Sequence, residues 1–267
     1  MLNQYFKPPK QLEALVRHFW ILDFERISTD HKDFRVFARR YPRMVFQHHE
    51  GMSAISRGGD TIPVAYAAGL NTKSYTCRIA PSIRTTGVSF YPHGLKVLFG
   101  IDSNLLVNDM PALINFVPRE LIDRMLDSVK INERLQILSD YLIKRAADVS
   151  ARPITLHAWK LATAIKGDTV VKDLAEIFNV SPRHLYRHFH QTVGMSPKQY
   201  LQISRFEQSI DMLHKYGKGR LADLAYTLNY ADQSHFIREF KSLSNFTPLE
   251  YMRVKKLHEE NSAIMVE

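Results

Sequence analysis

One stretch of this chain is written twice. Residues 170–201 read VVKDLAEIFNVSPRHLYRHFHQTVGMSPKQYL, and residues 221–252 read LADLAYTLNYADQSHFIREFKSLSNFTPLEYM. Asp173 and Leu174 match Asp223 and Leu224, and Asn179 matches Asn229. Arg187 matches Arg238, Phe189 matches Phe240, Pro197 matches Pro248, and Tyr200 matches Tyr251. The offset is 50 before the turn and 51 after it, so one residue is inserted between the two helices of a unit. Self-similarity at one spacing constrains a fold more than composition does. Two copies are too few for a solenoid and suit a duplicated helical unit.

Each copy has the same internal plan. In the first, Val171, Leu174, Ala175 and Phe178 fall on one face of a short helix. After Asn179-Val180, Ser181-Pro182 restarts a helix: serine accepts from a free first-turn amide, and proline there gives up no needed bond. Leu185, Phe189 and Val193 supply the inner face, Gly194 is a stop, and Ser196-Pro197 begins the next helix. The second copy repeats this with Leu221, Leu224, Ala225 and Leu228, then a turn at Asn229-Tyr230-Ala231. Asp232 is its cap, Phe236 and Phe240 face inward, Asn245 stops the helix, and Thr247-Pro248 starts another. Between the copies, Tyr200, Leu201, Ile203, Phe206, Ile210 and Leu213 form an apolar stripe. A helix of about 17 residues there would run roughly 25 Å.

Two short helices joined by a tight turn, the second with a cationic outer face, describe a helix-turn-helix whose second helix enters the DNA major groove. The outer faces carry Arg183, His184, Tyr186, Arg187 and His190 in one copy. In the other they carry Gln233, Ser234, His235, Ile237, Arg238 and Lys241. Arginine forks onto guanine acceptors and glutamine pairs with adenine. A helical hairpin with charges outside is common in any α protein. The pairing of two copies by a stiff helix favours DNA, because the recognition helices could then sit about 34 Å apart, one turn of duplex.

These residues resemble the DNA-binding domain of the AraC/XylS family of bacterial transcription regulators. The resemblance runs from about Ile154 to Arg253 and is carried by LAEIFNVSPRHLYRHF, by SRFEQSIDML, and by LADLAYTLNYADQSHFIREFKSLSNFTPLEYMR. It implies two helix-turn-helix units joined by a long helix. It places base contacts at Arg183, Tyr186, Arg187, Gln233, Ser234 and His235, with Arg238 near the backbone. Ser181, His190 and Lys241 join Arg238 as expected phosphate contacts, aided by helix N-termini. Family members often carry glycine in the second turn; here it is Asn229-Tyr230, and asparagine tolerates the left-handed backbone.

The length, 267 residues, suits two domains. The expected architecture is α+β in two domains. The first, 1–147, is a sensory and dimerising domain, mainly antiparallel β and barrel-like over 1–115 and helical over 118–147. A linker at 148–153 leads to an all-α DNA-binding domain at 154–257 and a tail at 258–267. The β reading rests on short apolar runs broken by turn signals at Gly58-Gly59-Asp60, Gly69-Leu70-Asn71 and Pro92-His93-Gly94. A sandwich is the neighbouring alternative. Leu121, Ile122, Met125, Leu126 and Val129, then Leu135, Leu138, Leu142 and Ile143, read as two amphipathic helices. GVSFYPHGLKVLFGI and LLVNDMPAL resemble, more weakly, an N-terminal domain of one subgroup of these regulators.

The formal net charge is +9. Residues 151–257 hold 16 Lys/Arg against 9 Asp/Glu, residues 1–150 hold 20 against 15, and the last ten hold none against 3. The shorter C-terminal piece is the more basic, as a polyanion-binding module should be. One cysteine permits no internal disulfide, and neither a signal peptide nor a membrane span is read, so a cytoplasmic location is expected.

Three chemical readings of the first half compete with plain packing. His48-His49-Glu50, with His93, are candidate metal ligands, although neighbours on a strand face opposite ways. Cys77 is a candidate reactive thiol or methyl acceptor if Arg78 lowers its pKa. Phe19, Trp20, Phe24, Phe34, Phe37, Tyr66, Tyr75, Phe90 and Tyr91 are a candidate pocket lining. The reading favoured is no metal, no cofactor and no catalytic site. The expected partners are double-stranded promoter DNA, RNA polymerase, a small-molecule effector and a second copy of the chain, with no membrane. The rivals are a DNA-repair-type methyl acceptor at Cys77 and a helical interaction module without DNA.

Overall fold

The computed structural model describes residues 2–24, 32–149, 175–176, 179–217, 221–253 and 263–266. The expected linker at 148–153 and the first helix of the first repeat fall almost wholly outside these residues. The first half is built on two five-stranded antiparallel sheets. One has the order β1 (Leu2–Phe6), β2 (Val16–Phe24), β9 (Ile83–Phe90), β4 (Arg43–Gln47) and β7 (Ala65–Ala68). The other has β10 (Ala263–Val266), β3 (Lys32–Val36), β8 (Tyr75–Ile79), β5 (Ile55–Arg57) and β6 (Asp60–Thr61). The β5–β6 hairpin turns at Gly58 and Gly59, both at positive φ, as a two-residue loop between right-twisted strands demands.

Successive side chains of a strand face opposite ways, and the first sheet is covered on both faces. Val45 and Trp20 meet Ile55, Cys77 and Ile79 of the second sheet in one core. Met44, Phe46, Phe19, Val88 and Phe90 face a second core with helices α1 (Gly94–Phe99), α2 (Arg119–Asp127) and α3 (Ile131–Val149). Gly87 lies opposite Trp20, and a Cβ there would stand 2.2 Å from the indole. The two expected helices exist, but Val129 is 81% exposed in the turn between them. The aromatic set does not line one pocket. Apart from Phe24, its members are split between these two cores and a third, except for Tyr91, whose ring stacks with His93.

The C-terminal half is helical: α4 (Pro182–Val193), α5 (Pro197–Tyr216), α6 (Leu221–Thr227), α7 (Gln233–Ser244) and α8 (Pro248–Tyr251). Its punctuation follows the sequence. Ser181 accepts from the His184 amide and Asp232 from that of His235. Ser196 with Gln199, and Thr247 with Glu250, close reciprocal capping boxes. Gly194 and Asn245 end α4 and α7 in the left-handed region. Asn179 and Asn229 hold the two turns at φ 50° and 57°, so asparagine serves both turns. Phe189, Tyr200, Phe206, Phe236, Phe240 and Tyr251 are all at most 2% exposed in one core around α5.

The two halves pack against one another. Phe37, Ala38 and Leu70 join the helical core. The Ala38 amide donates to the Leu243 carbonyl at 3.1 Å, and the Ser103 hydroxyl to the Thr192 carbonyl at 2.8 Å. Gly194 sits at φ 93°, and a Cβ there would lie 2.7 Å from the Ser103 carbonyl oxygen. Arg40 binds both Glu207 carboxylate oxygens, through its amide at 3.1 Å and its Nε at 2.6 Å. Within the stretch expected as a tail, residues 263–266 form β10 on the edge of β3, with Ala263 opposite Val36 and Val266 opposite Asp33.

Candidate nucleic-acid interface

Helices α4 and α7 keep their inner faces for the core: Leu185, Phe189 and Val193 in one, Phe236, Phe240 and Leu243 in the other. That rotation settles what faces outward. Arg183, His184, Tyr186, Arg187 and His190 are exposed along α4, with Ser181 exposed at its N-terminus. The rings of Tyr186 and His190 stack at 6.4 Å, one helical turn apart. Along α7, Gln233, Ser234, Arg238 and Lys241 are exposed, while His235 and Ile237 are half-buried. All ten residues expected to touch DNA thus lie at or beside two helix surfaces, five on each unit. The Ser103 contact engages the C-terminal end of α4 and leaves the exposed N-terminal turns clear.

Glu239 is the one carboxylate in α7, and it does not oppose this cationic surface. It is 8% exposed and lies 3.3 Å from Arg205 of α5. His235 Nε2 stands 3.9 Å from the same carboxylate, which turns that imidazole partly back toward its own helix. The sequence alone does not reveal this role of Arg205 in holding Glu239. Its partner is 34 residues away, and no local pattern announces such a pair.

The alternative chemistries fare poorly. His48 Nε2 is 3.0 Å from the Thr86 hydroxyl, and His93 Nε2 donates to the Ala14 carbonyl at 2.9 Å. Among the described residues no group of three or more His, Cys, Asp or Glu could hold a metal. Cys77 is 2% exposed, and burial pushes its thiol up to about 12. A reactive thiol needs the opposite shift. Arg78 does not supply it, because the neighbouring strand position faces away, and its guanidinium pairs with Asp33 at 3.0 Å.

The two histidines predict an acid sensitivity. Burial holds His93 down to about 4 and His48 down to about 3, with Arg134 and Arg84 adding to the effect on His48. In an unfolded chain both would take a proton near pH 6.5. The unfolded state therefore binds more protons between pH 6.5 and about 4, and stability falls as the pH drops through that window. Above it this penalty is absent. The unfolding free energy of His93→Gln, read from urea titrations, should fall less over the same range, by up to about 3 kcal/mol.

Residues 174–254 match the family described as "Helix-turn-helix domain". The HTH-type transcriptional activator RhaS of Citrobacter koseri is 28% identical over 107 residues, which is 40% of this chain and 38% of that protein. Residues 174–254 are an AraC-type helix-turn-helix domain. RhaS of Escherichia coli SE11 is 31% identical over 75 residues, 28% of this chain and 27% of its own length. The chain thus spans under two fifths of these curated relatives. Residues 4–110, ahead of the AraC-type domain, match a domain of unknown function (DUF6597). The crystal structure of ToxT from Vibrio cholerae O395 aligns over 88% of this chain and 96% of its own, with 16% identity and a TM-score of 0.43. Of the described residues, the AraC-type domain has the second helix of its first unit, the connecting helix and the whole second unit. No described helix is long and apolar enough to cross a membrane.

Proposed function

We propose that this chain is a sequence-specific DNA-binding transcription regulator, acting as an activator, that docks α4 and α7 in successive major grooves. The observation that carries this reading is the outward surface of the two helices: basic or hydrogen-bonding side chains on both, with the single carboxylate between them buried against Arg205. Arg183, Tyr186 and Arg187 read bases from one unit, and Gln233, Ser234 and His235 from the other. Ser181, His190, Arg238 and Lys241 hold phosphates. Helix α5, 20 residues or about 30 Å long, sets the separation.

The first half, 1–147, then acts as the sensory and dimerising part. A second copy docks through α2 and α3, and an activator bound upstream engages RNA polymerase. The relatives' printed role as transcriptional activators supports the sign of the effect. The direct test is retention of promoter fragments by the full chain across a salt series. Log affinity should fall linearly with log salt at about −0.9 per phosphate neutralised. Retention that ignores salt would remove the phosphate contacts, and no retention at low salt would remove the reading.

A further inference from the structure

The two recognition helices have 12 residues each, and the offset of 51 pairs their positions one for one. His184 pairs with His235, and Arg187 with Arg238. Three residues further along the same stripe the two units differ in kind. The position is His190 in α4 and Lys241 in α7, exposed in both and in the last turn of both helices. Lysine is charged at every pH near neutral, whereas a histidine changes charge between about pH 5 and 8. One unit therefore carries a fixed cation where the other carries a switchable one.

Among the described residues, the one side chain that the His190 ring meets is Tyr186, stacked at 6.4 Å with 16° between the planes. No carboxylate among them pairs with His190. The turn packed on this end of α4, Ser103–Leu106, has no titratable side chain, and Asp102 before it is bound by Lys96. On α5, Lys198 is exposed in the first turn, Arg205 is bound to Glu239, and Glu207 to Arg40. Asp211, His214 and Lys215 lie more than three turns along that helix. Glu176 is exposed before the turn at Asn179, and Arg183 and Arg187 share the outer face of α4. In the second unit the Glu250 carboxyl is held down by Thr247 and in part by Lys241, and its counterpart in the first unit is the uncharged Gln199. We propose that His190 makes the first unit's hold on a DNA phosphate depend on protonation, while Lys241 keeps that of the second unit constant. This rests on the DNA-binding reading above. A phosphate beside the imidazole favours its charged form. Binding then takes up a proton, and by linkage the affinity rises as the pH falls.

Competition titrations of the full chain on a duplex fragment that the parent selects from random sequence test this, at pH 8 and pH 6 and one ionic strength. His190→Lys copies the second unit, and His190→Gln removes the charge at both pH values. The gain in affinity from pH 8 to pH 6 should be about threefold to tenfold larger in the parent than in either variant. His184 and His235 are present in all three chains, so their contribution cancels, as does the acid sensitivity set by His48 and His93. The parent's slope of log affinity against log salt should steepen by up to about 0.9 at pH 6 relative to both variants. In hydroxyl-radical footprints the change should fall on the segment that Arg187→Ala weakens. Position 190 is exposed, so both variants should unfold at the parent's temperature. Equal pH responses in the three chains overturn the proposal and leave the DNA reading standing. A response confined to the segment that Gln233→Ala weakens overturns it as well. No retention of DNA at either pH in low salt sinks the DNA reading, and this inference with it.

Discussion

Truncation of Phe240 to alanine should lower stability by about 3–5 kcal/mol, the largest loss expected from a single substitution here. Phe240 is fully buried and meets Phe206, Phe236 and Tyr251 with ring centroids 5.0, 5.8 and 5.7 Å apart. It is the point where α5, α7 and α8 share one core. Removing the ring leaves a cavity among aromatic neighbours that cannot collapse far. Phe240→Leu, which keeps most of the volume, should cost much less. Thermal unfolding of the two variants beside the parent reads the difference. Equal losses would mean the site tolerates shape change, contrary to the packing.

Arg187→Ala should leave folding intact and cost roughly 1–3 kcal/mol of discrimination between a bound site and one altered at the contacted guanine. Arg187 is exposed on α4, so its removal opens no cavity. Lys241→Ala is the contrasting variant. A phosphate contact weakens binding evenly across sequences and reduces the salt slope by about 1. Competition binding on matched and altered fragments separates the two. If Arg187→Ala weakens every fragment equally, Arg187 belongs with the phosphate contacts.

The helical half was legible because its signals are local. Ser181, Asp232, Ser196 and Thr247 cap what they were expected to cap, and Gly194 and Asn245 end what they were expected to end. Capping depends on residues within one turn, and a period of 3.6 fixes which side is buried. The inner faces, and so the outer ones, follow from spacing alone. The first half was legible only as a class. Turn residues mark where strands end, but strand order depends on pairings across the chain, such as β2 with β9. The strand β10 pairs with a partner more than 200 positions away and carries no turn signal to announce it. Arg40 with Glu207 across the interface, and Arg205 with Glu239 inside the helical half, were hidden for the same reason. Cys77 stood as a rival reading only because its neighbour Arg78 is adjacent in sequence, whereas in the strand the two face opposite ways. Val129 kept helical spacing although the chain had already turned.

Hydroxyl-radical footprinting of the full chain on a selected promoter fragment tests the central claim most directly. Two recognition helices fixed by α5 should protect two segments on one face of the duplex, their centres about 10–10.5 base pairs apart per chain. Arg187→Ala should weaken one segment and Gln233→Ala the other. A single protected segment that either substitution abolishes, or two segments whose spacing varies from site to site, would contradict a rigid paired reader.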